Sequence, residues 1–171
     1  PIWNIRVSKN ISPNFQKAGS SLKIDKRLFK EDIMCSIVHA EMLCRQKIIS
    51  LKLKNKLIWG LNKIKNEIIK KKFIFNSSHE DIHMAIEKRL FEMIGEDAGY
   101  IHTARSRNDQ VITDFKIWII SSTEEIIKLI NKTINIILIN AEKNIETIMP
   151  GFTHLKNAQP ISFAHYLLAY V

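Results

Sequence analysis

Residues 108–148 read NDQVITDFKIWIISSTEEIIKLINKTINIILINAEKNIETI, and this stretch decides the fold. It contains neither glycine nor proline, and its apolar residues recur in steps of three, four or seven, as on a helix with one buried face. At ~1.5 Å per residue the helix would be on the order of 60 Å long, too long for one small domain to bury. It therefore predicts a helical bundle, and bundles of this length are commonly built between subunits. The apolar stripe is Phe115, Ile119, Ile126, Ile130, Ile134, Ile137, Ala141, Ile145 and Ile148.

The segments before this helix also show helical spacing, so the chain is expected to be all-α. A capping box from Ser78 and Asp81 is expected before the last of these segments, which Gly95 or Gly99 would close. Residues 1–20 lack clean periodicity and are expected to form an irregular arm. The helical segments are Asp25 to about Ser50, Lys54 to Lys71, and Ile82 to Ile94.

A dense polar segment, His102–Val111 (HTARSRNDQV), leads into the long helix; we call it the arginine motif. Ser106, Asn108 and Asp109 are residue types that cap a helix, where free N–H groups and the positive end of the dipole attract anions. Arg105 and Arg107 each add a planar fork of donors that matches a carboxylate or a phosphate. We interpret the motif as an anion-binding site, the alternative for such a run alone being a capped surface helix with solvated charges.

A second polar segment, Met149–Pro160 (MPGFTHLKNAQP), follows the long helix; we call it the histidine motif. Its Pro-Gly dipeptide signals a turn, and its last proline suits the first position of a further helix, beginning near Ser162. Thr153, His154 and Gln159 lie in the loop expected between them. A histidine in such a loop can act as an acid or a base near neutral pH.

Composition excludes several classes of protein. The net charge is +9, but the lysines alternate with isoleucine and asparagine rather than with aromatic stacking residues, which argues against a nucleic-acid partner. No run of eighteen apolar residues and no secretory signal is present, so we expect a cytoplasmic protein without a membrane partner. Cys35 and Cys44 lack metal-like spacing and are expected to be reduced thiols, and no motif predicts a metal or a cofactor.

Together the two motifs resemble the argininosuccinate lyase family, within the fumarase/aspartase superfamily, and the resemblance extends along essentially the whole chain. Four further segments match in the same order: Asp25–Leu28, Asp32–Ile33, Ser36–His39, and Glu80–His83 followed by Glu87.

The resemblance implies a fold and an assembly. Residues 1–106 would form a small N-terminal helical domain, and residues 107–171 would form the first part of the central bundle of a homotetramer. The two motifs lie at opposite ends of one long helix, so they are not expected to meet within one chain. The family's sites are each built from three subunits, which implies the same arrangement here.

The resemblance also implies a reaction, the anti elimination of argininosuccinate to arginine and fumarate in arginine synthesis. His154 corresponds to the family's catalytic histidine, with its role as acid or base left open. Ser21 aligns with a substrate-contacting serine, although the adjacent Ser20 leaves the register open. The implied substrate-binding residues are Ser21, Asp81, His83, Ser106, Arg107, Asn108, Thr153 and Gln159.

Departures from the family pattern limit what the chain is expected to do alone. Asn4 and Ile5 replace two glycines of the N-terminal arm, and Cys35 replaces another. The sequence stops at Val171, within the family's second bundle helix, and lacks the family's catalytic serine loop. We therefore expect the 171 residues alone to be inactive, as a fragment of a longer protein or a truncated gene product.

Two alternative functions follow from the same residues. One is another fumarate-releasing lyase of the adenylosuccinate lyase type, which the contiguous Arg105–Gln110 disfavours. The other is a non-catalytic structural protein like the crystallins that resemble this lyase. The intact polar residues of both motifs, including the Thr153-His154 pair, argue against this second alternative.

Overall fold

The computed structural model describes residues 12–76 and 79–171, which are mostly helical, as predicted, with one added β-hairpin. Short 3₁₀ segments follow α2 (Lys26–Leu28) and α5 (Gly95–His102). The principal elements are α1 (Pro13–Gly19), α2 (Leu22–Asp25), α3 (Phe29–Arg45), α4 (Leu51–Ile69), α5 (Ile82–Ile94), α6 (Arg107–Lys143), β1 (Ile148–Thr153), β2 (Lys156–Ser162) and α7 (Phe163–Leu168).

The chain divides into two compact units, Pro1–Trp118 and Ile119–Val171, which we call the first and second units. The long helix α6 contributes to both. Its first turns belong to the first unit because they carry Gln110 and Asp114, which are buried there. The division of the chain into domains at residues 106 and 107 stays a prediction.

The core of the first unit lies between α3, α4 and α5. Helix α4 begins where Ser50 accepts a hydrogen bond from the backbone of Leu53, and apolar residues at helical spacing supply the buried Leu57, Leu61 and Ile64. A Cβ atom on Gly60 would collide with the fully buried Leu90 of α5, so glycine permits the close approach of these two helices. This packing fixes the start of α5, where the polar residues of the candidate site lie.

Several predicted boundaries in the first unit need correction. A short helix, α1, occupies part of the expected irregular arm, because Ser12 accepts from the backbone N–H of Phe15 and starts it. Asp81 itself is the N-cap of α5, because its side chain accepts a hydrogen bond from the backbone N–H of Met84. The expected capping box had placed Asp81 three positions after a cap at Ser78, which lies outside the described residues. Asn4 and Ile5 also lie outside them. Gly95 closes α5 with a φ of 71°, as expected of a glycine C-cap.

The second unit differs more from the prediction. Helix α6 ends at Lys143 rather than Ile148, because Asn144 and Thr147 hydrogen-bond locally and compete with the helical backbone pattern. The segment expected as a loop is an antiparallel hairpin, and the expected Pro150 turn lies inside β1. Pro160 does not begin a helix but sits opposite Pro150 in β2. Helix α7 begins at Phe163 instead, where Ser162 caps it.

Within the second unit the surface of α6 is rich in exposed apolar side chains. Ile126 and Ile130 of the predicted stripe are more than half exposed, and so are Ile127 and Leu129, which follow other helical rows. Apolar residues on several faces are typical of a helix in the interior of a bundle. Across residues 12–76 and 79–171, no helix has the length and apolarity needed to span a membrane.

Candidate functional site

Arg107, the first residue of α6, is held by acidic side chains of α5. Its Nη1 and Nη2 donate to the two carboxylate oxygens of Glu87 at 3.0 and 3.1 Å, and Nη1 also donates to Oε1 of Gln110 at 2.8 Å. Its Nε lies 3.4 Å from Oδ2 of Asp81. Burial disfavours the guanidinium charge, but Glu87, Asp81 and Asp32 together raise the pKa of Arg107.

These contacts constrain the predicted carboxylate-binding role of Arg107. The guanidinium already binds one carboxylate in the bidentate manner expected for a ligand. Of the N–H groups on Nη1 and Nη2, one on Nη2 has no acceptor among the described residues. A ligand carboxylate would therefore meet Arg107 through that N–H unless Glu87 moved away.

His83, also on α5, is buried against a carboxylate from α3. Its Nδ1 lies 2.9 Å from Oδ1 of Asp32, and Nε2 of Gln110 donates to the same oxygen at 2.5 Å. Burial opposes the ionisation of Asp32, but the hydrogen bonds from His83 and Gln110 and the charge of Arg105 hold its pKa below the ordinary value. Asp32 is therefore a carboxylate at neutral pH, and a carboxylate only accepts. His83 consequently carries a proton on Nδ1.

The charge of Asp32 also changes the titration of His83. Burial opposes the charged imidazolium, but the hydrogen bond to Asp32 and the carboxylates of Asp32 and Asp81 raise the pKa of His83 above its ordinary value. No residue of the described ranges forms a hydrogen bond with Nε2 of His83. The ring is thus held through Nδ1, and Nε2 remains available for a further hydrogen bond.

Asp114 lies one turn after Gln110 on α6 and is fully buried. Its Oδ2 is 3.5 Å from Nδ1 of His83, but within the described part of the chain no N–H or O–H donates to either carboxyl oxygen. Burial and the neighbouring Asp32 carboxylate raise the pKa of Asp114 to about 7. The weakly donating thiol of Cys35 lies beside it, and burial together with Asp114 raises the pKa of that thiol to about 12.

The same three residues have a spacing that could accommodate a metal ion. One ligand atom each of Asp32, His83 and Asp114 lies within 4.8 Å of the others. The hydrogen bonds from His83 and Gln110 already satisfy Oδ1 of Asp32, and a proton on Asp114 would reduce the charge of the pair. The absence of a metal stays a prediction.

Ser21 is connected to this cluster through Asp25. Its hydroxyl donates to Oδ2 of Asp25 at 2.5 Å, and the other oxygen of Asp25 accepts from the backbone N–H of Ile82 at 3.1 Å. The backbone N–H of Ser21 donates to the carbonyl of Glu80, and the hydroxyl of Ser20 donates to the same carbonyl. Burial raises the pKa of Asp25, with a further contribution from the nearby carboxylate of Asp81. The arm is therefore tied to the start of α5.

The other two candidates of the arginine motif contribute to the start of α6. The hydroxyl of Ser106 accepts from the backbone N–H of Asn108 at 3.2 Å, and its own N–H donates to Oδ2 of Asp109 at 3.0 Å. These reciprocal bonds confirm the predicted helix cap. Ser106 and Asn108 are exposed, and their binding of substrate stays a prediction.

The histidine motif forms the hairpin of the second unit. Thr153 pairs with Lys156 across a two-residue turn whose central residues, His154 and Leu155, have φ values of 49° and 64°. Positive φ at both positions is the geometry of a tight hairpin turn, and it is uncommon for residues other than glycine, asparagine and aspartate. Thr153, His154 and Gln159 are all exposed. The turn thus presents the histidine at its tip.

One close contact explains a glycine of the hairpin. A Cβ atom on Gly151 would lie 2.7 Å from the carbonyl oxygen of Gln159, closer than real side chains approach. The strand pairing is irregular between Pro150 and Phe152, as expected of a bulge. Glycine at this position therefore allows the two strands to approach beside Gln159.

The candidate residues fall into two groups, one in each unit. The structure brings Ser21, Asp81, His83 and Arg107 into one polar neighbourhood of the first unit, with Ser106 and Asn108 at the start of the same helix. The hairpin of the second unit carries the rest. Sequence reasoning assigned no role to the residues that join the first group: Asp32, Glu87, Gln110 and Asp114. Gln110 and Asp114 are four positions apart, a spacing that signals polar groups on one helical face.

Comparison with known proteins places the chain in a family. Residues 5–171 match the model of a family described as lyase, and the chain belongs to that family. Its fold is also similar to solved structures of EDDS lyase, one a variant with bound fumarate and one in complex with formate, with TM-scores of 0.70 and 0.69. Both matches have 23% identity and cover 95% of this chain and 32% of the solved chain, so they support the fold alone.

Curated relatives agree with the predicted resemblance to argininosuccinate lyases. The chain is 66% identical over 170 residues to the argininosuccinate lyase of Pelagibacter ubique and 48% identical to that of Ehrlichia chaffeensis. These alignments cover 99% of this chain but only 37% and 36% of the relatives. The chain therefore spans about 37% of the length of a relative and corresponds to its N-terminal portion.

Proposed function

We propose that the chain is the N-terminal portion of an argininosuccinate lyase, which eliminates fumarate from argininosuccinate and releases arginine. The observation that carries the proposal is the polar cluster of the first unit. Asp81, His83 and Arg107 come from two sequence segments that match the family, and they meet where the start of α5 contacts the start of α6. The identity to curated argininosuccinate lyases, 66% in one case, favours this substrate over that of an adenylosuccinate lyase.

The reaction requires charge stabilisation and proton transfer. Removal of a proton next to a carboxylate places negative charge on that carboxylate, and fixed donors stabilise it. Arg107, Asn108 and Ser106 are the donors that we assign to this group, with Arg107 using its free N–H. The departing nitrogen requires an acid. His154 is the residue that we assign to acid–base chemistry, and its exposed position at the hairpin tip leaves it accessible to a ligand.

We propose that each site is composite and that the protein is a cytoplasmic homotetramer. Helix α6, which is 37 residues long, begins within the arginine motif and ends before the histidine motif. Its second-unit portion exposes apolar side chains on several faces, and exposed apolar surface of this kind favours association. Copies of the chain packed along α6 would bury these side chains and bring motifs from different copies together.

A substitution in the whole protein tests the role of His154. Replacing His154→Ala should lower kcat for argininosuccinate by roughly 100-fold or more, because acid–base groups contribute on that scale. The melting temperature should hardly change, because the side chain is exposed. His165→Ala is a matched control, since that histidine is also exposed and lies in the same unit. An unchanged rate in His154→Ala would remove this residue from the mechanism.

A further inference from the structure

One buried carboxylate connects two of the candidate substrate-binding residues. Oδ1 of Asp32 contacts Nδ1 of His83 at 2.9 Å and accepts from Nε2 of Gln110 at 2.5 Å. The other end of the Gln110 amide accepts from Nη1 of Arg107 at 2.8 Å. Asp32, His83 and Gln110 are all 1–2% exposed, so no solvent competes for these bonds. The orientation of His83 therefore depends on where Asp32 lies. Gln110 adds a dependence of Arg107 on the same carboxylate, beside the direct contacts of Arg107 with Glu87 and Asp81.

A second carboxyl group lies beside Asp32, and two adjacent carboxylates in a buried site repel each other. Within residues 12–76 and 79–171, neither oxygen of Asp114 receives an N–H or O–H hydrogen bond, although the side chain is fully buried. A buried, ionised carboxylate without donors would be costly, whereas a carboxylic acid can donate its own proton. The pKa of Asp114, raised to about 7 by burial and by Asp32, agrees with this assignment.

The remaining charged groups around the cluster determine which carboxyl group keeps its charge. Asp32 receives two hydrogen bonds and lies near Arg105, and these contacts hold its pKa down despite burial. Asp114 has His83 and the thiol of Cys35 as its other titratable neighbours, and Asp32 raises its pKa. Below about pH 7 the pair therefore carries a single negative charge, and that charge resides on Asp32. The other charged groups acting on His83 are Asp81 and Arg107.

We propose that Asp32 is a positioning residue for the lyase site, holding His83 as the Nδ1–H form and Arg107 through Gln110, with Asp114 beside it. Below about pH 7 Asp114 is a neutral acid. The kinetic part of this proposal rests on the proposed function. The positioning itself does not, because the protonation of His83 can be measured without substrate.

The experiment compares three variants of the whole protein that contains this chain. Asp32→Asn removes the charge, Asp114→Asn replaces a neutral acid by a neutral amide of the same shape, and Asp32→Glu restores the charge. Glu67→Gln is the control, since Glu67 forms a similar bidentate pair with Arg89 away from the cluster. At pH 6, where Asp114 is protonated, kcat/KM should fall about a hundredfold in Asp32→Asn, because misplacement of site groups costs rates of that order.

The asymmetry between the two asparagine variants is the decisive kinetic result. Asp114→Asn should stay within about threefold of the wild type, while Asp32→Glu should recover part of the loss in Asp32→Asn. Loss of the Asp32 charge should also move the acid limb of the pH–rate profile to lower pH, because the pKa of His83 falls. Equal losses in both asparagine variants, or an unshifted profile in Asp32→Asn, would overturn the proposal.

A measurement that needs no substrate turnover tests the positioning role of Asp32 separately from the proposed function. Nitrogen-15 NMR of histidine-labelled protein should show His83 protonated on Nδ1, with a pKa that falls in Asp32→Asn and not in Glu67→Gln. If the wild type releases no fumarate but this shift is seen, the function fails and the positioning stands. A His83 pKa that is insensitive to Asp32→Asn overturns the positioning. A divalent ion bound by the wild type and lost in Asp114→Asn also overturns it, because that carboxyl would then be a ligand.

Discussion

Replacing Asp114→Asn should remove a pH dependence of stability that the wild type shows between about pH 4 and pH 7. The pKa of Asp114 is about 7 in the folded protein, against an ordinary value of 3.8. A raised carboxyl pKa contributes stability that is complete below pH 4 and is lost as the pH rises through 7. At about 1.4 kcal/mol for each pH unit in that window, the wild type should lose about 2.5 kcal/mol between pH 5 and pH 8.

Other groups in the cluster do not obscure this comparison. The raised pKa of His83 gives a loss in the same direction, but His83 is present in both proteins. Asp32 has a lowered pKa, so its contribution is present above pH 4 and is lost only at lower pH, outside the measured range. The difference in slope between wild type and Asp114→Asn therefore reports mainly on Asp114.

Urea denaturation followed by circular dichroism at pH 5, 6, 7 and 8 measures the effect. Protein concentration must be held fixed because association shifts the midpoint. Asp97→Asn is the control, since Asp97 is an exposed carboxylate paired with Lys56, and it should leave the slope unchanged. A loss of stability with pH in Asp114→Asn as steep as that of the wild type would show that Asp114 is not the group responsible.

Three further predictions follow from the site and from α6. Arg107→Lys in the whole protein should lower kcat/KM at least tenfold, because an ammonium group cannot reproduce the bidentate contact with Glu87. Arg89→Lys, at the similar pair with Glu67, is the control and should leave kcat/KM nearly unchanged. Equal effects of the two substitutions in steady-state assays would contradict this prediction. Co-refolding an Arg107→Ala protein with a His154→Ala protein should restore part of the activity through hybrid sites, and no recovery would argue against composite sites. The 171 residues alone should associate and release no fumarate, so a monomer in sedimentation, or measurable turnover, would be the contrary result.

The sequence was sufficient to predict the elements whose signals are local. Helix α5 begins and ends at Ile82 and Ile94 as predicted, because an aspartate and a glycine define its ends. The buried stripe of α4 followed from helical spacing. The hairpin was missed because Pro150 and Pro160 each have a strong turn or helix-start preference, and strand pairing outweighs it only in the folded chain.

The candidate site was predictable as a list of residues but not as a network. His83 and Arg107 could be selected from their motifs, yet nothing in the sequence spacing relates Asp32 to Gln110, which are 78 positions apart. Their contact depends on how α3 and α6 pack, which is a tertiary property. The same packing leaves Asp114 without an N–H or O–H donor among the described residues, so its protonation could not be inferred from residue type.

Fumarate release by the whole protein tests the central claim most directly. Purified protein is supplied in parallel with argininosuccinate and with adenylosuccinate, and fumarate is measured by its ultraviolet absorbance, with His154→Ala as the blank. Stoichiometric fumarate and arginine from argininosuccinate, with none from adenylosuccinate, is the expected result. Fumarate from adenylosuccinate alone, or from neither substrate, would contradict the assignment of this chain to an argininosuccinate lyase.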